Sequence, residues 1–462
     1  MAVLSSHAQE AGISWGLTSD CNAVGQGSLR PRIAVNAEGR PVVLWGDSPP
    51  MVDYVAVGND VGFLPAVEVS VPGMAPAVDD WMGSSIAATG NTIWVVMKAT
   101  PEESRPLYVR RSDDGGLTWG DTLRVDPLDG LVSRFPSIDV VDPDAPVVQY
   151  MQFDSGWLGA RQVVTAMSNG AFNPPVQVSS PFSSGEVCDC CPNQVIAAED
   201  HVVALYRNAS SNVRVMWGAS SEDGGVTFPV GAVVDTTGWM LSACPSSGPD
   251  GFIDGDSVRY VWMSGANAGT KAYIGSAALS DLTLGPQLRL HAGQPVSLQQ
   301  NFPRIAGQGD TLGVVWQQTT GPNVEVLFSW SVTGPGGLSV PDTVNEATIG
   351  YQIGPDIAYA DGAFHIVWSE VSTDQVRYRK ATLTNANSIG FEGSGARTAA
   401  WPNPVSNILR VGLDWKRAVI TDASGRVISE TRVSSGVIDL EDLHSGWYIV
   451  RLEGPGVVSM VH

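Results

Sequence analysis

Arginine and carboxylate side chains that each follow a recurring proline are the best-placed groups for chemistry in this chain. Similar segments begin at Pro31, Ser84, Pro136, Pro192, Pro245, Pro303 and Pro355. The residues that come next are Arg32, Ser85, Ser137, Asn193, Ser246, Arg304 and Asp356. If these segments line one axis, two arginines and an aspartate converge on it. A guanidinium holds a carboxylate in a bidentate fork, and a nearby carboxyl can give or take a proton. Arg134, just before Pro136, and Arg207 are placed to join them. The alternative is that these polar groups only solvate a water-filled channel. A second group is Glu186-Val187-Cys188-Asp189-Cys190-Cys191-Pro192-Asn193, with Cys244 in front of Pro245. If the prolines are equivalent, Cys191 and Cys244 occupy matching places on neighbouring strands and bring several sulfurs together.

The elements that must position these residues repeat. Pro-x-Ile-Ala is followed, after a short turn, by an apolar run ending in an aromatic. Pro31-Arg32-Ile33-Ala34 leads to Val42-Val43-Leu44-Trp45, and Pro303-Arg304-Ile305-Ala306 leads to Gly313-Val314-Val315-Trp316. Pro355-Asp356-Ile357-Ala358 leads to His365-Ile366-Val367-Trp368. The starts are 52 to 58 residues apart, a period that means one supersecondary unit used again and again. Each unit reads as four strands, and four-stranded units in radial array make a β-propeller. Ile13-Ser14-Trp15-Gly16-Leu17 precedes the first unit and is a candidate outer strand for the last, which would close the ring.

Composition agrees with many short strands joined by turns: 51 Gly, 30 Pro and only 16% charged residues among 462. The net charge of −21 argues against nucleic acid and anionic membrane surfaces as partners. It suits an extracellular or saline setting, and it demands locally clustered arginines if the ligand is an anion. No apolar run is long enough to span a bilayer as a helix. Met1–Glu10 lacks the basic start and apolar core of a signal peptide, and Ser6–Glu10 reads as the tail of a signal already removed.

Two further segments fall between the third and fourth strands of their units. Ser112-Asp113-Asp114-Gly115-Gly116-Leu117-Thr118-Trp119 and Ser221-Glu222-Asp223-Gly224-Gly225-Val226-Thr227-Phe228 share Ser-x-Asp-x-Gly-x-Thr-aromatic. Asp and Ser side chains bond local amides in such a tip, and Gly takes the left-handed position. The pattern resembles the Asp-box, or BNR repeat, of sialidases and their relatives. That resemblance implies a β-propeller with the boxes on its rim and the active site elsewhere. The repeat count favours seven blades; the sialidases have six, which is the alternative. The resemblance also implies a glycan-processing hydrolase: three arginines for a substrate carboxylate, an aspartate acid/base, and a tyrosine nucleophile with a glutamate. On this chain the candidates for the three arginine places are Arg32, Arg134, Arg207 and Arg304, and those for catalysis are Asp356, Tyr351 and Glu186, with Glu370 as a second glutamate. The family's Arg-Ile-Pro order is absent, because the chain reads Arg30-Pro31-Arg32-Ile33. Tyr351 is about three residues out of the family register. A glycan- or protein-binding propeller without catalysis is the competing expectation.

Beyond residue 390 the repeat stops. Trp401-Pro402-Asn403-Pro404, Asp422-Ala423-Ser424-Gly425-Arg426 and Leu443-His444-Ser445-Gly446-Trp447-Tyr448 follow in order, with strand-like alternation between them. This run resembles the type A C-terminal sorting domain of type IX secretion cargo, a small β-sandwich. The resemblance implies export across the outer membrane of a Bacteroidetes-type bacterium, contact with that secretion machinery, and release or retention at the cell surface. The expected organisation is a propeller over 1–390, a linker over 391–400 and a sorting domain over 401–462, all β, in a monomer.

Export makes disulfides the first expectation for the cysteines: one bridge from Cys188, Cys190 or Cys191 to Cys244, with Cys21 as candidate partner of a second. Adjacent Cys190 and Cys191 point opposite ways in a strand, so both cannot easily bridge one partner. A copper(I) or zinc site on Cys188, Cys190, Cys191 and Cys244 is the less favoured alternative. Calcium fits an acidic secreted propeller, although no EF-hand loop exists. No other cofactor is expected. His201 and His365 read as packing or surface residues.

Overall fold

The computed structural model describes residues 12–179, 186–267 and 269–384. Near the C-terminus it describes 408–410, 416–422, 426–433, 437–440, 443, 448–454 and 457–461. The chain divides into two compact units, Met1–Ala386 and Asn387–His462. The 391–400 segment and Trp401-Pro402-Asn403-Pro404 lie outside the described residues.

Among its described residues the first unit holds seven antiparallel sheets of four strands, three with an extra short strand, and a two-stranded pair of Val213–Arg214 with Trp239–Met240. Their innermost strands are Leu29–Val35, Ser85–Thr89, Val132–Asp139, Gln194–Ala198, Asp250–Asp254, Gln300–Gln308 and Gln352–Ala360. These define blades 1 to 7 of a β-propeller. Apolar side chains on both faces of each sheet leave one hydrophobic cluster between every pair of neighbouring blades. The cluster between blade 7 and blade 1, with Ile33, Val43, Trp45, Val367 and Val376, joins the two ends of the series. The ring is also closed by strand pairing. Gly12–Trp15 adds to the outer side of blade 7, with Ile13 opposite Leu383 and Trp15 opposite Ala381. A ring made this way leaves only short, protected inner edges, which do not template aggregation.

The two Ser-x-Asp-x-Gly-x-Thr tips are superimposable in their bonding. The Ser112 hydroxyl bonds Asp114 and accepts from the Gly116 amide at 2.9 Å. Asp114 accepts from the Thr118 amide at 2.8 Å and from its hydroxyl at 2.6 Å. Ser221, Asp223, Gly225 and Thr227 repeat these bonds. Gly116 has φ +98°, and a Cβ there would meet Val42 of blade 1 at 2.9 Å. The glycine is needed both for the turn and for close approach to the preceding blade. Trp119 and Phe228 then anchor the returning chain on neighbouring cores.

The second unit contains a four-stranded sheet, in the order Val427–Arg432, Arg417–Asp422, Tyr448–Gly454, Val457–Val461, and a pair of Ile408–Arg410 with Val437–Asp439. Ala418, Ile420, Ile438, Leu440 and Val450 are buried. The Asp422 carboxylate takes the Arg426 amide at 3.1 Å.

Candidate functional site

The repeat proline works through a bulge. In blades 1, 3, 6 and 7 the register slips by one residue at the X-Pro pair. The residue before proline is left-handed there: Arg30 at φ +44°, Phe135 at +51°, Phe302 at +48° and Gly354 at +60°. Proline tolerates a bulge because it has no amide to pair. The slip turns the next side chain toward the propeller axis. The resulting ring is Arg32, Ser85, Ser137, Gln194, Asp250, Arg304 and Asp356. Each pairs with the residue one before Trp45, Met97, Tyr150, Tyr206, Trp262, Trp316 or Trp368 on the second strand.

Two expectations from the proline spacing are corrected by this register. Blade 5 starts from Pro249, so Asp250 joins the ring and Ser246 lies in the loop before it. In blade 4 Gln194 takes the ring position. Asn193, one residue earlier, bonds Ser137 at 2.9 Å and Gln162 at 2.8 Å. Pro245 is therefore not the equivalent of Pro192, and Cys244 does not match Cys191.

Acceptors on one blade take amides from the next. Asp356 accepts from the Ile33 amide at 3.0 Å, Asp250 from Ile305 at 2.8 Å, and Ser137 from Val195 at 3.0 Å. Arg304 ties three blades together, its Nε 2.7 Å from Asp356 and 3.4 Å from Asp250. These carboxylates hold the Arg304 charge in place against burial and raise its pKa. Arg32 is 8% exposed and donates to the Pro31 carbonyl at 2.7 Å. Among the described residues it makes no ion pair. Burial, then the facing Arg304, lowers its pKa to about 10, so it stays charged at neutral pH. Arg30 donates to the Trp81 carbonyl at 2.6 Å, and its Nε is buried without a partner. Burial and the guanidinium groups of Arg32 and Arg304 push its pKa down too. Three arginines thus face two aspartates, a local excess of positive charge inside an acidic protein.

The ring separates two spaces. Toward the starts of the inner strands lies a neck of about 20 Å³, bordered by Arg30, Arg32, Trp81, Asn193, Pro249 and Arg304. On the other side is a cavity of about 510 Å³, the size of a small-ligand site. Its walls include Arg32, Asn36, Asp139, Gln194, Arg304 and Asp356. The roomy end is therefore opposite to the one expected from the inner-strand starts.

Asp139 was not singled out by the repeat, since it lies two residues beyond the ring position. It accepts from the Ala197 and Val140 amides, each at 2.8 Å. Burial, with Asp250 adding, outweighs those bonds and raises its pKa from 3.8 to about 6. A raised carboxyl pKa favours the protonated folded state. Its contribution is present below pH 3.8 and lost as pH rises through 6. Asp139→Asn should therefore gain on the wild type by on the order of 3 kcal/mol between pH 4 and pH 8. Urea melts at both pH values test this, and a pH-independent difference would refute it.

The other expected site residues are elsewhere. Arg207 is buried, its guanidinium on the carbonyls of Ser247, Met263 and Arg214. It ties blade 4 to blade 5 through three of its N–H donors. Arg134 is paired with Glu102 at 3.0 Å and packed on the rings of Trp81, Phe135 and Trp157. Tyr351 is 52% exposed in the loop before blade 7, and Glu186 is exposed beside the cysteines. None of these four lines the cavity or its neck. Glu370 is held by Arg377 at 2.6 Å. His365 is buried against the Tyr378 hydroxyl at 2.8 Å, a packing residue as expected. The sulfurs pair as Cys188–Cys191 and Cys190–Cys244. The bridge to Cys244 matches the expectation; Cys21 is a buried free thiol between blades 7 and 1.

Residues 399–460 match the Secretion system C-terminal sorting domain. The chain carries a type IX export address. That tail sends the propeller to the cell surface or the medium, and no helix among the described residues is long and apolar enough to cross a membrane. No curated protein matches the chain. Among solved structures it is similar to an ulvan lyase of polysaccharide lyase family PL25, with TM-score 0.53 at 8% identity, covering 79% of this chain and 95% of that one. It is also similar to a protein of unknown function from Dyadobacter fermentans, with TM-score 0.46 at 11% identity, covering 81% and 100%. A Trypanosoma rangeli sialidase gives TM-score 0.41 at 8% identity, covering 87% and 86%. At 8% identity the lyase likeness is one of fold.

Proposed function

We propose that this exported propeller takes an acidic saccharide, one bearing a carboxylate, into its axial cavity. The observation that carries the reading is Arg32: a buried, charged guanidinium without an acidic partner among the described residues, lining 510 Å³ of open space. A buried charge without a counter-ion is costly, and a ligand carboxylate in a bidentate fork would offset that cost. Arg30 adds to the same positive field. The ulvan lyase of similar fold was solved with -[GlcA(1-4)Rha3S]-, whose uronate supplies such a group.

Binding has better support than sialidase-type hydrolysis. The tyrosine and glutamate that reaction needs would be Tyr351 and Glu186, and neither lines the cavity. One observation favours a catalytic variant of the reading: Asp139, with its proton held to about pH 6, is a suitable general acid facing the same space.

Calorimetric titration of the full chain separates these readings. A uronate- or sialate-terminated oligosaccharide should bind at least about tenfold tighter than its neutral analogue, and Arg32→Gln should erase that preference, since hydrogen bonds to charged groups are worth about 1.5–3 kcal/mol. Equal affinity for the two sugars would sink the proposal. Turnover that disappears in Asp139→Asn would establish the catalytic variant.

A further inference from the structure

Outside the channel, the densest group of reactive side chains is the Cys188–Cys191 segment with Cys244. The Sγ atoms of Cys188, Cys190 and Cys191 all lie within 4.8 Å of one another. Cys244 is bonded to Cys190, so its sulfur belongs to the same cluster. Cys188 and Cys190 are not bonded to each other, yet their sulfurs are 3.7 Å apart. Zinc–thiolate bonds are about 2.3 Å long, which makes the edge of a regular ZnS₄ tetrahedron about 3.8 Å. The unbonded pair already has that spacing.

The sulfur content also exceeds what stapling requires. One bridge, Cys190–Cys244, joins the segment before blade 4 to the loop before blade 5 across 54 residues. The other, Cys188–Cys191, spans three residues and closes almost no chain, so it restricts the unfolded state little. Cys188 and Cys191 are buried against Ala209, whereas Cys244 is exposed. Cys188 and Cys191 are thus held by the fold, Cys190 lies between them in the chain, and the fourth ligand comes from an exposed position at the surface. Exposed Asp189 and Glu186 add negative charge beside them, which favours a cation.

We propose that these four cysteines, as thiols, bind one Zn²⁺ as a tetrathiolate, and that the two disulfides are the oxidised form of the same site. Zn²⁺ displaces the four thiol protons. Opening each disulfide takes two electrons and two protons; a phosphine reductant supplies them with water and leaves as its oxide. Both states link the segments that carry Asn193 and Pro249 to the channel neck, so the neck is held whichever form is present.

The test uses the full chain, reduced with tris(2-carboxyethyl)phosphine under anaerobic conditions, incubated with Zn²⁺ and desalted. Metal analysis should find about one Zn²⁺ per reduced chain and almost none in the oxidised chain. Cys244→Ser and Cys188→Ser should each weaken Zn²⁺ binding by about a hundredfold or more, while Cys21→Ser leaves it unchanged. Co²⁺ in the reduced wild type should give the thiolate charge-transfer band and the intense visible bands of a tetrahedral site, a readout that does not depend on any variant folding. A folded, reduced wild type that retains no Zn²⁺ and shows no such band overturns the proposal. So does Zn²⁺ retention that survives Cys188→Ser in a folded chain.

Discussion

Replacing Arg304 with alanine should cost about 3–5 kcal/mol of folding stability, the range for breaking a buried ion pair by removing one partner. Its Nε lies between Asp356 and Asp250, at 2.7 and 3.4 Å, and the aspartate side chains are 6% and 7% exposed. Without the guanidinium, two carboxylates are left in the ring with backbone amides alone, from Ile33 on Asp356 and from Ile305 and Gly251 on Asp250. The effect should be visible as a large drop in urea midpoint with little change in slope. The double variant Arg304→Ala/Asp356→Asn should recover at least about 1 kcal/mol, because one stranded charge is gone. If the single variant stays within about 0.5 kcal/mol of wild type, the ring is a solvated channel lining and not a structural ion cluster.

Removing residues 1–17 should open the ring. The Gly12–Trp15 strand supplies the outer edge of blade 7 through four residue pairs. Trp15 meets Phe328 edge-to-face at 5.6 Å and is covered by Arg379 at 4.9 Å. Losing the partly buried Ile13 and Trp15 side chains should cost about 3 kcal/mol in apolar burial alone. The Ala381–Thr384 end of the Gln375–Thr384 strand becomes a free edge, a template for intermolecular pairing, while Ser19–Asp20 still pairs with Arg377–Tyr378. Amide exchange should therefore lose protection first in Ala381–Thr384, with a lower unfolding temperature and a tendency to aggregate. A truncated chain with native melting and exchange would mean that the hydrophobic cluster between blades 7 and 1 closes the ring unaided.

Much of the architecture is legible because it is periodic. Pro-x-Ile-Ala and the Val-Val-Trp run recur with a strand period inside a unit and a near-constant spacing between units, and both signals come from local backbone preference and alternating burial. The same locality makes the two Ser-x-Asp-x-Gly-x-Thr tips readable: Asp114 and Asp223 bond amides only three or four residues away. Where the local signal weakens, the reading slips. Blade 5 offers two prolines four residues apart, Pro245 and Pro249, and only pairing of Asp250 with Val261 decides between them.

The candidate site divides along the same line. The bulge before each proline is a local event, and it places Arg32, Arg304 and Asp356 on the axis as their spacing implied. What those side chains do there depends on residues more than fifty positions away. Arg304 is neutralised by Asp250 and Asp356, whereas Arg32, chemically identical, faces open space. Arg134 and Arg207 look alike in sequence and are both spent on interblade contacts, with Glu102 and with backbone carbonyls. Asp139 becomes a cavity acid because burial, not its neighbours in sequence, sets its affinity for a proton. By itself, the amino-acid sequence determined the repeat, the blades and the export address, since each is written in short-range patterns of turn residues and alternating apolar side chains. Only the tertiary structure decided which charges are paired, which sulfurs meet and which end of the channel has room, because those depend on distances between blades that no local pattern encodes.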